Sequence, residues 1–124
     1  MLTTTYCLND VNGAEFTVKD DQTMEFHFTL YNKKDIDLFL NRLEKYMLTP
    51  NEYELVIRDD GNESRIYVNQ INDEKTRIQF ANYANSVYVS SPEFLAVCQE
   101  LQRLATKAIA DLQNILDQER QNEW

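Results

Sequence analysis

The chain has 124 residues and a formal charge of -9, from 12 Lys and Arg against 21 Asp and Glu. With 43% hydrophobic and 27% charged residues it reads as one globular domain, large enough to bury a core without disulfides or metal, and not as a disordered chain. The excess of carboxylates argues against a nucleic-acid backbone or an anionic membrane as direct partner, because both draw their affinity from basic residues.

No apolar run is long enough to cross a bilayer. Met1 to Asn9 lacks the basic segment and apolar core of a secretory signal, so none is expected. Cys7 and Cys98 are the only cysteines and fall on separate predicted elements. They read as two buried thiols in a reducing cytoplasm rather than as a disulfide.

In chain order, Leu2 to Leu8 alternates Leu2, Thr4, Tyr6 and Leu8 against Thr3, Thr5 and Cys7, which is a strand pattern. Asn9 to Gly13 is turn chemistry, and Ala14 to Lys19 is a second strand with Phe16 and Val18 on one face. After the turn Asp20-Asp21-Gln22, Thr23 to Tyr31 shows the cleanest period of two in the chain. Met24, Phe26, Phe28 and Leu30 point one way, and Glu25, His27, Thr29 and Tyr31 the other.

Asn32 is placed to cap a helix carrying Asp35 and Asp37 in its first turn. Ile36, Phe39, Leu40, Leu43 and Met47 form its apolar stripe, and Pro50 ends it near Leu48 or Thr49. Tyr53 to Arg58 and Arg65 to Gln70 form a hairpin across Asp59-Asp60-Gly61-Asn62. Asn72-Asp73-Glu74 leads to a strand over Lys75 to Phe80, and the link Ala81 to Asn85 to another over Ser86 to Ser90.

The last segment, Ser91 to Asn122, predicts a long helix. Phe94, Cys98, Leu101, Ala105, Ala108, Leu112 and Ile115 share one side, flanked by Val97, Leu104, Ile109 and Leu116. Ser91 is expected as its N-cap, with Pro92 at the first helical position. The fold class expected is α+β: a single domain with a curved antiparallel β-sheet, in the order βββ-α-ββββ-α, packed against two helices. The apolar stripe is wider than a coiled-coil seam, so packing on its own sheet is preferred over a helical dimer, although a homodimer stays open.

Motifs of chemistry are scarce. His27 stands beside Glu25 on a polar face, but no second His or metal-ligand spacing accompanies it. Neither a nucleophile elbow nor a phosphate loop is present, so no enzyme, metal or cofactor is expected. Asp59 to Glu63 lacks the ligand spacing of a calcium loop and reads as a hairpin turn.

What remains is charge and tyrosine. Acidic clusters at Asp20-Asp21, at Asp59-Asp60 with Glu63, and at Asp73-Glu74 fall in predicted turns, where they can meet a basic protein or imitate the phosphates of DNA. Tyr67 and Tyr88 are expected on outward faces, where a rigid ring favours binding. The leading expectation is a small acidic, non-enzymatic, cytoplasmic interaction module, of the inhibitor, immunity-protein or antagonist kind, for a basic protein surface. The alternative is a domain binding an anionic ligand or nucleotide through Arg58, Arg65 and Arg77 in a pocket between sheet and helices.

Overall fold

The structure, a computed structural model, describes residues 2–8, 13–21, 24–61, 63–80 and 86–122. Its elements are β1 (Leu2–Leu8), β2 (Ala14–Asp20), β3 (Glu25–Leu30), α1 (Lys33–Leu48), β4 (Leu55–Asp59), β5 (Ser64–Gln70), β6 (Lys75–Phe80), β7 (Ser86–Ser90) and α2 (Ser91–Asn122). The fold is α+β, as the periodicities imply. The turn predicted over Asn9 to Gly13 lies almost wholly outside the described residues, as do Gln22, Thr23, Asn62 and the link 81–85 with Tyr83.

The antiparallel strands form two ladders, β1-β2-β3 and β4-β5-β6-β7. Side chains alternate across each strand, so register decides which residues share the core. Tyr6 pairs with Phe16 and Phe16 with Phe28, which stacks three rings at centroid spacings of 5.7 and 5.2 Å. Phe39 of α1 packs against the same column, 5.2 Å from Phe28.

The ladders meet at the ends of β3 and β4. There Asp60 N–H donates to Thr29 O at 2.9 Å, and Thr29 N–H donates to Asp59 Oδ1 at 3.1 Å. Phe26 of β3 touches Phe80 of β6 with ring centroids 5.8 Å apart, so both sheets contribute to one core. The helices cover that core and contact each other. Phe94, Cys98, Leu101, Ala105 and Ala108 of α2 and Ile36, Phe39 and Leu43 of α1 are buried in it.

Asn32 caps α1 as expected, its Oδ1 accepting from Asp35 N–H at 2.9 Å. β4 starts later than predicted because Glu52 and Tyr53 N–H both donate back to Thr49 O, continuing the turn after the helix. Tyr46, absent from the predicted stripe, is wholly buried and meets Phe94 edge-on at 6.0 Å.

Two expectations need correction. Ser91 does not cap α2 with its hydroxyl. Its Oγ donates to Asn72 O at 2.8 Å and lies 2.7 Å from Thr76 Oγ1, tying the start of the helix to the β5–β6 turn. Ser90 Oγ instead approaches Glu93 N–H, at 3.5 Å. Cys7 is exposed, because the alternation of β1 sends it outward with Thr3 and Thr5, whereas Cys98 is buried; both are free thiols.

Candidate functional site

Strand alternation builds a face on which charge and aromatic rings stand together. On β4 to β6, Leu55, Ile57, Ile66, Val68, Thr76 and Ile78 are buried toward the helices. Their chain neighbours Arg58, Arg65, Tyr67, Lys75 and Arg77 therefore project from the opposite side. The register then sets them side by side. Arg58 faces Arg65, Tyr67 lies between Val56 and Gln79, and Arg77 lies between Asn69 and Tyr88.

This separates Arg77 from Arg58 and Arg65, the three arginines expected to hold a ligand between sheet and helices. Arg58 borders a small depression of about 30 Å³ beside α1, with Leu30, Asp35, Leu38, Phe39, Arg42 and Asp60. Arg65 and Arg77 each precede an isoleucine buried on the helix side and project from the outer surface of the sheet. Lys75, which sequence reasoning passed over, joins them: its Nζ lies 4.7 Å from the centre of the Tyr88 ring. Its position beside buried Thr76 was the available signal.

Arg58 and Arg65 are directly opposite like charges, an arrangement that costs a sheet stability. Arg58 Nε is balanced by Asp60 Oδ1 at 3.3 Å. Among the described residues Arg65 and Arg77 make no ion pair, and Arg77 Nε is closed off from solvent without a hydrogen-bond partner. Arg58, Asp60, Glu63, Ser64 and Arg65 line an open depression of about 420 Å³ at this end of the sheet. Asn72, Glu74, Lys75, Tyr88, Val89 and Ser90 line another, of about 460 Å³, along β7.

Of the acidic clusters, the one at the β4–β5 turn is largely taken up by the fold itself. Asp59 is 3% exposed, and its Oδ1 accepts from Thr29 and Gly61 N–H, so it holds the hairpin rather than a partner. A Cβ on Gly61 would lie 3.3 Å from Tyr31 Oη and 3.4 Å from Asp59 Oδ1, so a larger residue there would make these side-chain ends shift by a few tenths of an ångström. Asp60 is also mostly covered, and its pKa is raised, chiefly by burial and then by the nearby Asp35 carboxyl, with Arg58 opposing. Only Glu63 of this cluster is exposed, at a left-handed φ of 53°.

Asp73 and Glu74 are exposed at the other end of β5 from Glu63, roughly 20 Å along the strand. Their turn is held by Asn72, whose Oδ1 accepts from Glu74 and Lys75 N–H at 2.8 and 2.9 Å. Asp20 and Asp21 lie on the β2–β3 connection, Asp21 exposed and Asp20 half-buried.

His27 and Glu25 project from the outer face of the three-stranded sheet, where Thr17 is the register partner of His27. Among the described residues no group of three or more His, Cys, Asp or Glu side chains is disposed to hold a metal ion. Nor is any helix long and apolar enough to cross a membrane. Comparison of the chain with protein-family models, curated proteins and solved structures finds no match.

Proposed function

We propose that this chain is a non-enzymatic protein-binding module, of the inhibitor or antagonist kind, that engages its partner with the outer face of the β4–β7 sheet. The observation that carries the reading is the alignment of Arg58, Arg65, Arg77 and Lys75 with Tyr67 and Tyr88 on one solvent-facing surface. Arginine and tyrosine are the residue types that dominate binding energy at interfaces. Two guanidinium groups set opposite each other, at a cost to the sheet, suit a surface selected for contact rather than for stability.

The overall charge of -9 draws in a partner of net basic charge. Exposed Glu63, Asp73 and Glu74 stand at the rim to meet its cations, and the arginines at the centre require carboxylates from it. The unbridged Cys7 and Cys98 support a reducing, cytoplasmic setting.

The test is affinity capture with wild type, with an Arg65→Glu/Arg77→Glu variant and with a Lys19→Glu/His27→Ala control altered on the other sheet. A protein held by wild type and control, lost by the arginine variant and weakened by salt supports the reading. Capture unchanged in the arginine variant defeats it. The depression at Arg58, Ser64 and Arg65 favours a second reading, an anionic small ligand held there. A nucleotide that raises the melting temperature of wild type and not of Arg65→Glu would support that one instead.

A further inference from the structure

β7 is an edge strand: among the described residues it pairs with β6 alone. It reads Ser86-Val87-Tyr88-Val89-Ser90, the same in both directions about Tyr88, without charge, Pro or Gly. Natural edge strands are usually blunted by Lys, Pro or a bulge, because an open row of backbone groups invites another strand. Among the described residues nothing of that kind blunts β7. Val87 and Val89, on the side packed against the core, are only half-buried, and Tyr88 is 52% exposed. The other outer edge, β1, is flanked by α2, which is held there through Tyr6 and Asp111.

We propose that β7 pairs antiparallel with β7 of a second copy of this chain, about a two-fold axis through Tyr88. A two-fold interface brings one patch against itself, so its strand must match its own reverse. This one does. Val87 falls opposite the partner's Val89, Ser86 opposite the partner's Ser90, and Tyr88 opposite the partner's Tyr88. Apolar side chains then meet on the core side, and an aromatic pair forms on the outer side. The two four-stranded ladders become one continuous sheet.

Five residues per strand make a small interface, so the pairing is reversible, with dissociation on the order of micromolar or weaker. It does not depend on the partner reading above, because the test uses the purified chain alone.

Sedimentation of the full chain from micromolar to submillimolar concentration is expected to show a rising monomer-to-dimer ratio in wild type, abolished by Tyr88→Asp. Register is read by oxidative crosslinking in a Cys7→Ser background. Tyr88→Cys, on the axis, is expected to form a disulfide dimer with oxidised glutathione. Ser86→Cys alone is not, since its two copies would lie about 14 Å apart. The double variant Ser86→Cys/Ser90→Cys crosslinks again. A wild type that stays monomeric throughout, or Ser86→Cys crosslinking as readily as Tyr88→Cys, overturns the proposal.

Discussion

The Tyr6 hydroxyl donates to Asp111 Oδ2 across 2.6 Å, joining β1 to α2 between residues 105 positions apart. Lys107 Nζ holds the same carboxylate oxygen at 2.7 Å and lies 5.5 Å from the centre of the Tyr6 ring. Lys107 first, and then the tyrosine, keeps the Asp111 carboxyl below its ordinary range. Burial, then the bond to Asp111, raises the Tyr6 phenol. The three groups act as a unit, so Tyr6→Phe and Asp111→Ala are expected to destabilise by less together than the sum of their separate effects. A double-mutant cycle by urea unfolding checks this, and strict additivity would show the contact to be idle.

Tyr46 is 0% exposed, and its hydroxyl lies near Thr76 without making a hydrogen bond. Burial pushes its phenol from the usual 10.0 up to about 12. The unfolded chain therefore gives up this proton before the folded one does. Stability falls as pH rises from about 10 to about 12, by about 3 kcal/mol at most for this group. Tyr46→Phe removes that part of the alkaline decline and should be neutral or slightly stabilising at pH 7, since a buried hydroxyl without a partner is lost. Denaturant unfolding across the alkaline range reads both effects.

Asp60 carries a raised pKa on a carboxyl, the opposite of the usual ion-paired case. Between the unfolded value of about 3.9 and the raised folded one, the folded state binds more protons, so stability drops as pH climbs through that window. Asp60→Asn keeps the shape and removes the repulsion with Asp35, though it also gives up the contact to Arg58. The slope of melting temperature against pH in that window should flatten in the variant. An unchanged slope would show that Asp60 does not carry the extra proton in that window.

Arg65→Glu replaces a like-charge cross-strand pair by an opposite-charge one beside Arg58. The β4–β5 hairpin should gain about 0.2–1 kcal/mol, seen as a higher urea midpoint, while partner capture weakens. Loss of stability in this variant would show that the Arg58–Arg65 juxtaposition carries no cost, and would remove the support it lends to a binding surface.

Element type and most boundaries were legible in the chain because they rest on local periodicity. The period of two in Met24, Phe26, Phe28 and Leu30, and the steps of three and four from Phe94 to Leu112, each name a buried face without knowledge of what covers it. The same alternation sets Arg58, Arg65 and Arg77 on the strand face opposite the buried Ile57, Ile66 and Ile78, a consequence of local sequence alone. Other features required coordinates. That Ser91 binds Asn72 and Thr76, that Asp59 is consumed by Thr29 and Gly61, and that Tyr6 finds Asp111 are contacts between segments distant in the chain. A side chain's neighbours along the strand fix which way it points; who stands there to receive it depends on strand register and helix docking, which the whole core sets at once.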